Sequence, residues 1–299
     1  MNNFYCLSIL FLLLFESSIQ ARSQTTLDYQ SRIHPEIGSE FMVVTQNKHA
    51  TEAGYEILRQ GGNAVDAAVA VGFALSVTLP RAGNLGGGGF VLIYDQDKNE
   101  ISSIDYRSAA PESSKSEMFI QDGKVVKFGH LVNAVPGSVA GLLKAHDNHG
   151  SLPLSTLLKP AIRLAKNGFE VTYDLNFVLE WGGESMLANK ASREKFYNVK
   201  KEPIEVKKLF KQPNLAKTLF MISKNGKDSF YKGEIAKWIS EESLSNGGLI
   251  TLDDLSSYEA KTRIPIETNY RGYRVVTMPP AASGGLVLLQ TLNILENFD

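Results

Sequence analysis

Read from the amino terminus, residues 4–15 form an almost unbroken apolar run. It is too short to span a bilayer and has the length of a signal-peptide core. Ala21 and Ser23 set small residues before a cleavage ahead of Gln24, so residues 1–23 read as a leader, with a buried first helix as the alternative. Asn2 and Asn3 stand where such leaders usually carry lysine or arginine. Beyond the leader, residues 41–45 have the β-branched richness of a buried strand, and 52–59 continue as a helix stopped by Gly61 and Gly62. Asn63 caps a helix over about 64–79 that ends at Pro80. Apolar nearly all round, with Asp66 as its only charge, that helix should be buried on more than one side.

Four successive glycines, Gly86 to Gly89, then precede a strand over 90–94, a turn over 95–99 and a strand over 101–106, which together read as a β-hairpin. Pro136 and Gly137 open a helix toward His146, and 155–166 form another that Gly168 stops. Residues 173–258 look mainly helical, so a helical region spans about 137–260. Within it Thr251-Leu252-Asp253-Asp254 resembles a capping box with Asp in the Glu position. Strands follow over 264–268 and 273–277, and a last helix starts at about Leu286.

Composition changes this picture little. Of 299 residues, 43% are hydrophobic and 21% charged, the balance of an ordinary globular chain long enough for one large domain or two smaller ones. With 31 basic against 32 acidic side chains there is no sequence-wide basic footprint for nucleic acid. Cys6, the single cysteine, lies in the leader, so an exported mature chain, periplasmic or secreted, has no disulfide, thiol nucleophile or cysteine metal ligand. Nothing suggests a cofactor.

Candidate chemistry centres on the glycines and on Arg107. A phosphate cradle needs a strand, then glycines, then a helix whose amides face the anion. Here a helix precedes the glycines, a strand follows, and no Gly-Lys-Ser or Gly-Lys-Thr is nearby. Two readings of the tract remain: a pocket that a ligand can approach closely, or a packing device that lets the hairpin pass close under the buried helix. Arg107, ending the hairpin, is either a solvated surface charge or a planar fork that grips a carboxylate. His146 and His149 could share a helix face, but without a zincin partner they read as cations near a helix carboxyl end rather than as a metal site. No Gly-x-Ser-x-Gly elbow occurs.

Several motifs occur in order. They are Asn63-Ala64-Val65-Asp66-Ala67-Ala68-Val69-Ala70, Pro80-Arg81-Ala82-Gly83-Asn84-Leu85 with the four glycines and Phe90, and Asp105-Tyr106-Arg107-Ser108-Ala109-Ala110-Pro111. Val135-Pro136-Gly137-Ser138-Val139-Ala140-Gly141 and Pro279-Pro280-Ala281-Ala282-Ser283-Gly284-Gly285 follow. At this spacing the chain after the leader resembles the N-terminal, large-subunit portion of a γ-glutamyltransferase (glutathione hydrolase).

The resemblance implies an α+β fold, the αββα sandwich of N-terminal-nucleophile hydrolases, present here only in part. It implies a zymogen that cleaves itself into large and small subunits. A threonine freed at the small subunit's N-terminus attacks the γ-glutamyl amide, with its own α-amino group as base. A γ-glutamyl-enzyme ester is then resolved by water or by an acceptor amino acid or peptide, while backbone amides hold the oxyanion. Arg107 aligns with the family arginine that binds the α-carboxylate of the γ-glutamyl group. The nucleophile is expected beyond Asp299, so no catalytic residue is assigned in this chain; Thr25 and Thr26, near the leader cleavage, are a remote alternative. Two functions stay open at this point. The chain is part of a γ-glutamyl transferase and hydrolase competent only with its small subunit, or it is a non-catalytic remnant or γ-glutamyl-binding module.

Overall fold

The computed structural model describes residues 37–298, so the leader and Thr25–Thr26 lie outside the described residues. The chain divides into two units, Met1–Phe41 and Met42–Asp299, and every element below belongs to the second.

Helix α1 (Lys48–Arg59) begins four residues earlier than the apolar pattern suggests, because the Asn47 side chain accepts from the amides of His49 and Ala50 and caps it. Helix α2 (Ala64–Thr78) carries a full capping box. The Asn63 side chain accepts from Val65 and Asp66, and the Asp66 carboxylate accepts from the Asn63 amide. As its composition requires, α2 is buried on several sides, packing on α1, on α3 (Ser138–His149) and on α4 (Lys159–Asn167). Phe73, Val69 and Val77 are fully buried, and Gly72 leaves room for Leu142 of α3.

Asp66 ties this helix to the chain beyond α3. Fully buried, its carboxylate accepts from the amides of Ser151 (3.0 Å) and Leu152 (3.3 Å) and from the Ser151 hydroxyl. Burial alone would push the carboxyl up, but the hydrogen bonds from Ser151, Asn63 and Leu152 outweigh it and hold it below the usual range. A depressed folded-state value stabilises the fold above the ordinary carboxylate range, and that contribution is lost as pH falls through the lowered value. Asp66→Ala should cost about 2–3 kcal/mol at neutral pH by leaving the part-buried amides of Asn63, Ser151 and Leu152 without their acceptor. The gap between wild type and variant should narrow as pH falls through the lowered Asp66 value; a gap of unchanged size in acid would refute the linkage.

The central sheet is antiparallel, in the order β1 (Phe90–Asp95), β2 (Glu100–Asp105), β3 (Lys261–Arg263). The β1–β2 hairpin falls where the alternation places it. Strand β3 does not, because Lys261-Thr262-Arg263 carries no apolar period of its own and becomes a strand only by pairing with Ser103–Asp105. The second hairpin is β4 (Ile266–Tyr270) with β5 (Tyr273–Thr277), two residues later at its start than the pattern suggests.

Two further expectations are corrected, at residues 41–45 and at the last helix. Residues 41–45 form no strand: burial alternates along them, and Val43 packs against Gly54 of α1. The helical region contains a short strand pair, Phe169–Glu170 with Leu209–Phe210, beside helices α5 (Tyr173–Trp181), α6 (Pro213–Tyr231), α7 (Glu234–Ser245) and α8 (Leu252–Ser257). The last helix, α9, spans Ser283–Leu295 and takes in Ser283, Gly284 and Gly285; a side chain at Gly285 would overlap the Met278 carbonyl. Its apolar residues stay largely uncovered, with Val287 58% and Ile294 63% exposed.

Candidate functional site

Where β2 leaves the sheet, Asp105, Arg107 and Ser108 form one wall of a cavity of about 630 Å³, with Asp254, Tyr258, Lys261 and Arg263 on the others. The ladder runs one pair past the assigned strands: Gly89 and Tyr106 exchange both amide bonds (3.3 and 3.0 Å). Arg107 is the first residue beyond that pair. Ala109 then re-pairs with Val135 (3.1 and 2.8 Å), so the chain is pinned again two residues later.

The glycines shape this exit. A Cβ on Gly88 would come within 2.6 Å of the Ser108 amide and the Tyr106 carbonyl, and one on Gly89 within 2.9 Å of the Tyr106 ring. The Gly87 carbonyl accepts from the amides of Gly137 (2.8 Å) and Ser138 (3.0 Å), satisfying donors at the start of α3. The tract is a packing device, but it seats the strand exit and α3. It does not slide the hairpin under α2, as the order of elements suggests.

Arg107 itself is exposed, and its guanidinium makes no hydrogen bond or ion pair among the described residues. Its backbone, by contrast, is held at both ends. Its amide donates to Asp105 Oδ1 (3.0 Å), and its carbonyl accepts from the Tyr258 hydroxyl (2.8 Å). Buried Asp105 is in turn gripped through Oδ2 by Arg263 Nε (3.2 Å) and a terminal nitrogen (3.0 Å), so one of the cavity's cations is neutralised while Arg107 is left free. Tyr258 stacks on Tyr231 with ring centres 5.6 Å apart and planes at 9°. Burial, with the charge of Asp105 and the neighbouring Tyr106, pushes the Tyr258 hydroxyl up to about 12, so it stays a neutral donor.

The sequence singles out Arg107 as a candidate but not Asp105, Tyr258 and Arg263, which surround its backbone or the same cavity wall. Asp105 stood two residues away in the same motif. Tyr258 and Arg263 are more than 150 residues downstream, and nothing local marks them. The histidines serve structure: His146 Nε2 lies 2.8 Å from the Leu152 carbonyl and His149 Nε2 3.2 Å from the Ser102 hydroxyl. No cluster of metal-ligating side chains occurs among the described residues. None of their helices is long and apolar enough to cross a membrane.

A protein-family model described as gamma-glutamyltranspeptidase matches residues 50–299. The glutathione hydrolase proenzyme of Escherichia coli is 46% identical over 271 residues, an alignment covering 89% of this chain and 47% of that protein. The chain thus spans about half the length of the curated relatives it matches. Among solved structures, Helicobacter pylori gamma-glutamyltranspeptidase superposes with a TM-score of 0.85 at 39% identity, covering 89% of this chain and 77% of the other. The Bacillus anthracis transpeptidase enzyme CapD does so with a TM-score of 0.73 at 35% identity, covering 87% and 82%. The mixed helix and sheet architecture is accordingly the α+β fold of the large-subunit portion of an N-terminal-nucleophile hydrolase. Sequence, motif order and fold agree, and the chain belongs to the gamma-glutamyltranspeptidase family.

Proposed function

We propose that this chain supplies the carboxylate-binding wall of a γ-glutamyl transferase and hydrolase acting on glutathione and related γ-glutamyl amides. The observation that carries the reading is the Arg107 guanidinium on the cavity wall, unpaired among the described residues while the neighbouring Arg263 is neutralised by Asp105. A planar fork with no partner among the described residues suits a small carboxylate. In the γ-glutamyl group that carboxylate is the α-carboxylate, and gripping it fixes the direction of the amide to be cleaved.

The rest of the chemistry belongs to residues this chain does not carry. A threonine with a free α-amino group, on the half of the precursor by which relatives exceed this chain, attacks the γ-carbonyl and expels the amine. The resulting ester passes its γ-glutamyl group to water or to an acceptor amino acid or peptide. The uncovered apolar residues of α9 support a small subunit from the same precursor as the covering surface. Export through residues 1–23, to a periplasmic or extracellular site, belongs to the same reading.

The test is release of p-nitroaniline from γ-glutamyl-p-nitroanilide. The complete precursor should process itself and turn over, and the chain ending at Asp299 should not. Turnover by the isolated chain would overturn the mechanism. A processed, complete protein with no turnover would favour a γ-glutamyl-binding module instead.

A further inference from the structure

Between the Gly89–Tyr106 pair and the Ala109–Val135 bridge, Arg107 and Ser108 lie outside any ladder. Two bonds hold the Arg107 backbone there, Asp105 Oδ1 on its amide and the Tyr258 hydroxyl on its carbonyl. The Tyr258 bond fixes the carbonyl of Arg107 and so restrains the backbone from which the long side chain leaves the wall.

The surroundings of Tyr258 are built for this contact. Tyr258 closes α8, whose other end is docked on the same segment by Asp254 Oδ1 accepting from the Glu112 amide (2.7 Å). Its ring is clamped on Tyr231, whose own hydroxyl is anchored to the Pro136 carbonyl (2.8 Å) and the Ala140 amide (3.2 Å). Gly137 leaves the space in which the Tyr258 hydroxyl and the Tyr106 carbonyl lie, since a side chain there would overlap both.

From this geometry we infer that Tyr258 is a positioning residue for substrate carboxylate binding, acting through the Arg107 carbonyl and not by touching substrate. The inference rests on the proposed role of Arg107. Removing the hydroxyl leaves the guanidinium charged and present but no longer aimed, so the loss falls on substrate binding.

The experiment uses Tyr258→Phe in the complete processed enzyme, a change that keeps the stacked ring. The Michaelis constant for a γ-glutamyl donor should rise roughly tenfold, the size of one lost hydrogen bond, with kcat within about twofold. Arg107→Gln should raise it further. The double variant should be no worse than Arg107→Gln alone, because Tyr258 acts only through that side chain. Tyr231→Phe, which strips a hydroxyl from the same stack without touching Arg107, should lower Tm and leave the Michaelis constant alone. Assays below room temperature keep a destabilised Tyr258→Phe folded. An unchanged Michaelis constant in Tyr258→Phe, or additive losses in the double variant, overturns the inference while leaving the Arg107 reading intact. An unchanged Michaelis constant in Arg107→Gln overturns the reading itself.

Discussion

Arg107→Gln in the complete enzyme should raise the Michaelis constant for glutathione by roughly 30- to 1,000-fold, equivalent to about 2–4 kcal/mol of lost carboxylate binding. The magnitude follows from the site's construction. The side chain is not diverted into an ion pair, since Asp105 is occupied by Arg263, so its donors are available to a ligand. Glutamine keeps some hydrogen-bonding capacity but loses the charge and the second arm of the fork. Arg107→Lys should fall between wild type and Arg107→Gln, because a point charge cannot reproduce a bidentate grip. Michaelis constants for glutathione, measured alongside Tm to exclude unfolding, decide the matter, and equal values for wild type and Arg107→Gln would sink the assignment.

A loss of comparable weight, but in stability, is expected from Gly137→Ala. The added methyl would overlap the Tyr106 carbonyl and the Tyr258 hydroxyl together. Neither can yield cheaply. The Tyr106 carbonyl is held by Gly89 in the extended ladder, and Tyr258 is held by its stack and by Arg107. Overpacking of an ordinary core costs about 1–3 kcal/mol, and a collision with backbone belongs at or beyond the top of that range. A loss of about 3 kcal/mol should lower Tm by several degrees in the complete protein, less than the roughly 6–12 °C expected for 150–250 residues. Scanning calorimetry of the complete protein is the direct measurement. A Tm within a degree or two of wild type would mean that the close approach at Gly137 is not as drawn.

These expectations differ in how far the primary structure anticipates them. The capping box of α2 is read from Asn63 and Asp66 because its partners are three residues apart, and the β1–β2 hairpin is read from alternation because its strands are adjacent. Residues 41–45 mislead for the converse reason. Their β-branched side chains suit a strand, but no strand forms at 42–45, and the same alternation packs Val43 onto Gly54. Strand β3 is the mirror case, a polar triplet made into a strand by its neighbour β2.

The candidate site divides along the same line. Arg107 stands out because it sits in a motif whose order and spacing match a family, and that match carries the fold class and the reading of its chemistry. Its supports do not stand out. Tyr258 reaches the Arg107 carbonyl across a separation of 151 residues, and Arg263 reaches Asp105 across 158. Local sequence determined the helices with their caps, the hairpin and the identity of the carboxylate-binding candidate, because each depends on residues within a few positions of one another. The tertiary structure alone decided that Asp105 is neutralised, that the Arg107 guanidinium is unpaired among the described residues, and that a distant tyrosine donates to the Arg107 carbonyl. Those outcomes are hydrogen bonds between segments far apart in the chain, and such pairings have no period, cap or turn chemistry by which to be read in advance.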